Sequence, residues 1–160
     1  MNYREALEHV VIPGLKLLPP EMDTPQARAM MLAIGMQESR FKYRKQINGP
    51  ARGFFQFEKG GGVRGVLRHT STKRIIQDVI FKIGVEPEDC YDCLAEDDAL
   101  AAVFCRLLLY TDSRPLPALS SAPEESWQYY INNWRPGKPH RKTWDEFWKL
   151  ACEAVAAYGG

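Results

Sequence analysis

Apolar and polar positions follow the period of an α-helix along most of this 160-residue sequence. Apolar side chains recur every three or four positions, which places them on one face of a helix. The stretches with this pattern are residues 2–18, 25–39, 63–67, 75–83, 95–110, 123–134 and 143–155. The pattern predicts a mainly α fold of about seven helices, forming one domain over residues 1–160, with at most a small β hairpin near Gly53 to Phe57.

Capping residues and prolines predict where several of these helices begin or bend. Pro13 should break or kink the first helix, because it has no N–H for the helical ladder. Asp23 or Thr24 is expected to cap the second, with a proline in its first turn. Thr143 with Glu146 three residues later forms a capping box, which predicts that the last helix begins there.

Two further expectations concern local structure in the middle of the chain. The run Phe54 to Phe57 follows Gly53 and is expected to be extended. The stretch Ala95 to Tyr110 has the clearest apolar face, and its acidic residues should lie in the first turn, where they suit the helix dipole.

Composition indicates an ordinary globular domain, with 45% hydrophobic and 26% charged residues. No apolar run approaches membrane-spanning length, so membrane insertion is not expected. The N-terminal residues lack an apolar signal-peptide core, which predicts synthesis in the cytoplasm without a signal peptide.

The formal net charge is only +1, but its distribution is uneven. Residues 40–74 contain ten Lys or Arg against one acid, whereas residues 86–112 contain eight acids against one Arg. A basic half favours an anionic polymer as partner. Cell-wall glycan with acidic peptides and nucleic acid both meet this description.

Four cysteines suit a reducing compartment in a chain long enough to build its core without disulfides. Cys90 and Cys93 form a single Cys-x-x-Cys, with no histidine nearby in sequence to complete a zinc site. We therefore predict ordinary thiols, no metal and no cofactor.

The candidate chemistry lies between Ala33 and Phe57. Glu38 comes at the end of an apolar helical segment, and Gln56 lies in a glycine-bearing loop among three phenylalanines. A carboxyl group in apolar surroundings keeps its proton near neutral pH and can act as a general acid. An amide can hold a sugar hydroxyl or acetamido group. The alternative is that both are ordinary surface residues.

Two linked signatures in this region resemble those of the lytic transglycosylase family, which has a lysozyme-like fold. Glu38-Ser39-x-Phe41 is similar to its Glu-Ser-x-aromatic motif, and Ala51-x-Gly53-Phe54-Phe55-Gln56 to its Gly-Ala-x-Gly-Leu-Met-Gln motif, at a suitable separation of 56 − 38 = 18 residues. The sequence departs from the pattern at four positions: Asn48, Pro50, Phe54 and Phe55. By this resemblance the chain is identified as a divergent member of the lytic transglycosylase family, from a phage-encoded branch.

The resemblance implies cleavage of the β-1,4 bond between N-acetylmuramic acid and N-acetylglucosamine in peptidoglycan, with Glu38 as both general acid and base and a 1,6-anhydro product. Gln56 would hold the substrate or orient Glu38. Ser39 would bond the Glu38 carboxyl and fix its rotamer, while Phe55 and Phe57 would exclude water and raise its pKa. A looser match to a third signature adds three candidate substrate-binding residues, Tyr130, Asn132 and Asn133.

Two alternatives remain open. Glu58 is a possible second carboxylate; in the groove it could position a water, and the enzyme would be a hydrolytic lysozyme. The domain could also be a non-catalytic module that grips glycan or nucleic acid in a virion or secretion assembly, although nucleic acid is the less favoured partner. The expected partners are peptidoglycan strands and phage virion or secretion-system proteins. Action on the periplasmic or extracellular wall would then need delivery, for example as a virion component.

Overall fold

The computed structural model describes residues 1–159. Its α-helices are α1 Tyr3–Ala6, α2 Ile12–Leu15, α3 Pro25–Ser39, α4 Arg64–Arg68, α5 Lys73–Ile83, α6 Cys90–Cys93, α7 Asp98–Tyr110, α8 Pro123–Trp134 and α9 Arg141–Tyr158. Within these described residues, β pairing is limited to two isolated bridges. The mainly α prediction is confirmed, and the hairpin is reduced to those bridges.

Helix α3 forms the centre of the fold. Ten of its fifteen residues are buried, including every position from Ala29 to Met36. A helix that is apolar on all sides must be surrounded by other elements, and α3 packs against both α7 and α9. Thr24 caps it by accepting a hydrogen bond from the Ala27 amide at 3.1 Å, which decides between the two predicted caps.

The first helical segment continues through Pro13 without ending there. One π-helical turn, Leu7–Val11, links α1 to α2, and the Ile12 N–H bonds the Leu7 carbonyl five residues back. This wider turn compensates for the N–H that proline lacks. Helix α2 then continues through Pro13 to Leu15, and the chain turns before the prolines at 19 and 20.

Two predicted helix starts are wrong. Helix α9 begins at Arg141, two residues before Thr143, and the Thr143 hydroxyl bonds Gln37 and the His140 carbonyl instead of capping the helix. Helix α7 begins at Asp98, with the Asp97 carboxylate capping the Leu100 amide at 3.0 Å. At α7 the Asp97 cap sets the start, whereas at α9 the side chain of the predicted cap is engaged in a tertiary contact with Gln37.

The run Phe54 to Phe57 is not extended. Gly53 to Gln56 form a tight turn, closed by the Gln56 amide on the Gly53 carbonyl at 3.0 Å. Arg52 pairs with Phe57 through two 2.9 Å backbone hydrogen bonds, so the turn is bracketed by one β bridge. The neighbouring Phe54 and Phe55 rings are both buried against Phe41. A flat strand would point them to opposite faces, so this packing favours the turn.

A single hydrophobic cluster includes residues from every helix. None of the helices in residues 1–159 is both long and apolar enough to cross a membrane.

Candidate functional site

Glu38 lies in the last turn of α3, at a groove between the 43–58 loop and the chain that leaves α8. The groove has a volume of about 640 Å³. Residues from both walls line it: Tyr43, Lys45, Gln46, Ile47, Pro50, Ala51, Gln56, Glu58, Trp134, Arg135, Pro136, Gly137, Lys138 and His140. This volume is within the range of pockets that bind organic ligands. The structure thus brings Glu38, Gln56 and Glu58 to one groove.

Tyr130 holds the Glu38 carboxyl in place. Its phenolic O–H donates to Glu38 Oε2 from the neighbouring helix α8. The tyrosine ring is stacked on Trp144 with 4.9 Å between centroids and 8° between planes, and it contacts Trp127 and Trp134. Three indoles therefore fix the ring, and the ring fixes one oxygen of Glu38. The other oxygen, Oε1, is left for a proton or a ligand.

The environment favours the neutral form of the Glu38 carboxyl. Burial raises the pKa of Glu38 from 4.5 to about 7, and the hydrogen bond from Tyr130 opposes part of that rise. Burial and the adjacent Glu38 charge also raise the pKa of Tyr130, so the phenol remains a neutral donor. A carboxylic acid that titrates near neutral pH can both give and take a proton during one reaction.

Gln56 presents its side chain to the groove from an unusual backbone position. Its φ is +55°, in the left-handed region that non-glycine residues seldom adopt. The side-chain Nε2 donates to the Gly53 carbonyl at 2.9 Å, which anchors the amide to its own turn. Such backbone conformations are enriched at functional sites. The amide is therefore preorganised, with its oxygen still able to accept a hydrogen bond.

Ser39 does not bond the Glu38 carboxyl, contrary to expectation. It is buried, its hydroxyl donates to the Phe54 carbonyl at 2.6 Å, and it accepts from the Phe41 amide at 3.2 Å. The side chain that follows Glu38 on a helix points about 100° away from it, toward the site loop. Ser39 therefore fastens this loop to α3, and Tyr130 fixes the glutamate.

Phe55 and Phe57 lie beneath the groove and are not among the residues that line it. Both are at most 3% exposed. The Phe55 ring packs edge-on against Phe41, and the Phe57 ring against Phe104 and Trp134. They support the site loop from the core. Because they do not line the groove, they are not positioned to contact a substrate in it.

Asn132 and Asn133 lie outside the groove lining. Asn132 is exposed, and the Asn133 amide donates to Asp112 at 2.9 Å and to the Tyr129 carbonyl at 2.8 Å. Tyr130 and Asn133 are three residues apart and lie near one face of α8. The Asn133 side chain nevertheless bonds Asp112, in the loop after α7, and not Glu38. Of the three residues predicted from the third signature, only Tyr130 contacts Glu38.

The sequence analysis missed Trp134 and the basic rim that follows it. Trp134 lines the groove, and its indole N–H donates to the Phe55 carbonyl at 3.0 Å, which ties the end of α8 to the site loop. Arg135, Lys138 and His140 continue along the rim, facing Lys45 on the other wall. The sequence feature that points to this rim is the Arg-Pro-Gly-Lys-Pro run after an aromatic helix, which predicts a turn at the end of that helix.

The Gln37 side chain hydrogen-bonds the backbone of this rim at His140. Its Nε2 donates to the His140 carbonyl at 2.9 Å, and its Oε1 accepts from the Thr143 hydroxyl at 2.8 Å. The amide thereby joins α3 to the start of α9. Glu38 and the rim are held by adjacent residues of the same helix.

No metal centre is evident within residues 1–159, where no three His, Cys, Asp or Glu side chains are grouped as ligands. Cys90 and Cys93 lie on the short helix α6 and are free. Burial raises the pKa of Cys90 to about 11, so its thiol is not ionised near neutral pH.

Comparison of the chain with protein-family models, with curated proteins and with solved structures finds no match.

Proposed function

We propose that this protein is a peptidoglycan lytic transglycosylase, which cuts the β-1,4 bond between N-acetylmuramic acid and N-acetylglucosamine with Glu38 as its general acid and base. The observation that carries the proposal is the partly buried Glu38 carboxyl, with one oxygen held by Tyr130 and its pKa raised to about 7, at the edge of a groove of sugar-binding size. The two sequence signatures that resemble this family meet at that groove.

The reaction needs one carboxyl group. Protonated Glu38 gives its proton to the glycosidic oxygen, and the bond from that oxygen to C1 of the muramic acid breaks. The resulting carboxylate then takes the proton of the C6 hydroxyl, whose oxygen forms a bond to C1. The products are a free 4-hydroxyl on one fragment and a 1,6-anhydro ring on the other, and Glu38 ends protonated as it began.

The groove supplies further groups for a glycan strand. The Gln56 amide can accept or donate a hydrogen bond to an acetamido group, and the Trp134 side chain offers an apolar surface to a sugar ring. Lys45, Arg135 and Lys138 surround the opening. Their charge suits the carboxylates of the peptides attached to muramic acid.

A second candidate is a hydrolytic lysozyme, which Glu58 favours. Its side chain is exposed and lines the same groove. A carboxylate there could activate a water, as in the two-carboxylate mechanisms of glycoside hydrolysis. The product would then have a reducing end instead of an anhydro ring.

The decisive experiment is to incubate purified peptidoglycan with the wild type and with Glu38→Gln, Glu58→Gln and Glu125→Gln, and to identify soluble products by mass spectrometry. Glu125 is an exposed carboxylate on α8 and serves as the matched control. Anhydro-muropeptides from every variant except Glu38→Gln would support the transglycosylase.

Reducing-end products that depend on both Glu38 and Glu58 would replace it with the lysozyme. Equal release by wild type and Glu38→Gln would rule out Glu38 as the acid. No release from any folded variant would overturn the enzyme proposal and leave a glycan-binding module.

A further inference from the structure

A second cavity lies at the opposite end of α3. It has a volume of about 600 Å³ and is lined by residues from the start of α3, the loop between α4 and α5, the end of α7, the following loop and α8, among them Gln26, His69, Arg106, Ser113 and Tyr129. Thr24, the cap of α3, also lines it. Fourteen residues separate Thr24 from Glu38, or about 21 Å along a helix. The cavity is therefore separate from the Glu38 groove.

Arg106 is the unusual residue in this cavity. It is only 6% exposed, and its Nε donates to the Met22 carbonyl at 2.9 Å. Across residues 1–159, neither Nη atom has a hydrogen-bond partner, and no carboxylate forms an ion pair with the guanidinium. A buried charge is normally paired, because removal from water without a partner is expensive. Four N–H donors of Arg106 thus lack a protein acceptor.

The nearby acids are already occupied. Asp112 accepts two hydrogen bonds from the Arg114 guanidinium, at 3.0 and 2.6 Å, and one from Asn133. Asp23 is held by Arg28 through hydrogen bonds of 2.7 and 2.9 Å. Both carboxylates are paired elsewhere. The Arg106 guanidinium lies over the Tyr110 ring at 5.9 Å from its centroid, a cation–π contact that leaves the Nη hydrogens able to donate.

The rest of the cavity suits the organic part of a ligand. Leu109, Leu116 and the Tyr129 ring provide apolar surface. On the opposite side, Ser71 donates through its hydroxyl or amide to His69 Nδ1, at 2.7 and 3.1 Å. A neutral imidazole that accepts at Nδ1 carries its hydrogen on Nε2 and can itself donate.

We propose that this cavity binds a small organic carboxylate, whose two oxygens accept from the free Nη groups of Arg106. The guanidinium fork matches a carboxylate in a bidentate arrangement. A single negative charge balances the one unpaired cation. A phosphate, with nearly two charges at neutral pH, would be repelled by the neighbouring Asp112. The volume accommodates an acid with an aromatic or branched apolar part.

The test is a titration of the full chain with benzoate, acetate and inorganic phosphate, followed by ¹⁵N–¹H spectra of the arginine Nε–H and backbone amide signals. Benzamide, which has the shape of benzoate without its charge, is the ligand control. Arg106→Met and Arg106→Lys are the test variants. Arg74→Met removes an exposed, unpaired arginine from α5 and matches the change in net charge.

Benzoate should shift the Arg106 Nε–H signal and the Ser113 amide in a saturable way, about tenfold or more tightly than benzamide or phosphate. Arg106→Met should weaken benzoate about tenfold or more, Arg106→Lys should weaken it less, and Arg74→Met should leave it unchanged. The proposal is overturned by equal benzoate binding to wild type and Arg106→Met, by equal binding of benzamide, or by no saturable shift with either carboxylate.

Discussion

The two ends of α3 bury opposite charges in different ways. At one end Glu38 is partly buried beside Tyr130 and its pKa rises to about 7, so the group can exist without charge. At the other end Arg106 is buried with four unpaired N–H donors. Burial lowers the pKa of Arg106, but the ordinary pKa of a guanidinium is so high that Arg106 keeps its proton.

The difference separates two kinds of site. A buried carboxyl can relieve its desolvation by taking up a proton, and a group that gains and loses a proton near neutral pH is suited to acid and base chemistry. A buried guanidinium cannot lose its proton near neutral pH, so its positive charge persists and favours the binding of an anion. The same physical cost therefore favours catalysis at one end and anion binding at the other.

The largest expected effect comes from removing the titration of Glu38. Because its folded-state pKa of about 7 exceeds the unfolded value near 4.5, the folded protein binds more protons in that window. The Glu38 contribution to the free energy of unfolding should be greatest below pH 4.5, fall as the pH rises toward 7, and level off above it. Glu38→Gln should eliminate this fall and exceed the wild type by up to about 3 kcal/mol above pH 7.

Urea denaturation of both proteins at one pH below 4.5 and one above 7 measures this difference, with Glu125→Gln as control. Parallel stability curves for wild type and Glu38→Gln would show that Glu38 is not the buried acid described here.

The next largest effect is expected from disturbing the packing of Phe41 on Gly35, near the Glu38 end of α3. Arg40 and Phe41 both have left-handed φ, +59° and +50°, and the chain reversal they produce lays the Phe41 ring on Gly35. A Cβ at Gly35 would overlap that ring. Gly35→Ala should lower the free energy of unfolding by about 1–3 kcal/mol, as overpacked cores do.

Gly65→Ala is the matched control, because a Cβ there meets nothing within 4 Å and the residue lies in helix α4. Thermal or urea unfolding measures both variants. A Gly35→Ala protein as stable as the wild type would mean that Phe41 moves freely and does not hold the site loop.

The third prediction concerns the side-chain hydrogen bond that Glu38 accepts from Tyr130; Arg106 bonds only a backbone carbonyl. Tyr130→Phe keeps the ring on Trp144 but removes the donor to Glu38. Since that bond lowers the pKa of Glu38, the pH at which kcat/KM falls should move upward. Glycan cleavage at neutral pH should slow by about tenfold, because the carboxyl loses its orientation.

A pH–rate profile on soluble glycan fragments measures both effects. Tyr110→Phe, which removes an exposed phenol at the end of α7 that does not line the groove, is the control. An unchanged profile in Tyr130→Phe would assign the tyrosine to packing alone.

The smallest effect is expected at the other end. Arg106→Met removes one hydrogen bond to a carbonyl but also removes an unpaired buried charge, and these contributions oppose each other. The free energy of unfolding should change by less than about 1 kcal/mol in ligand-free solution. Urea denaturation checks this, and a loss of several kcal/mol would indicate that Arg106 serves the fold through contacts of its own.

Much of this structure was predictable from the sequence. The helical period gave the mainly α class and the position of Glu38 in the last turn of α3, and Thr24 with the proline after it marked where α3 begins. Among candidate site residues, Glu38, Gln56 and Glu58 lie at one groove. Asn132 and Asn133 do not line it, and Trp134, Arg135 and Lys138 were not predicted, because their place depends on how α8 ends against a distant loop.

The sequence by itself determines local preference: which stretches are helical, and that Glu38 lies in the last turn of an apolar helix. Only the tertiary structure decides that Tyr130, 92 residues away, bonds the Glu38 carboxyl and that Arg106 is left without a carboxylate. The reason is physical. Helical periodicity is an interaction between near neighbours, whereas burial and electrostatic pairing depend on which distant elements pack together.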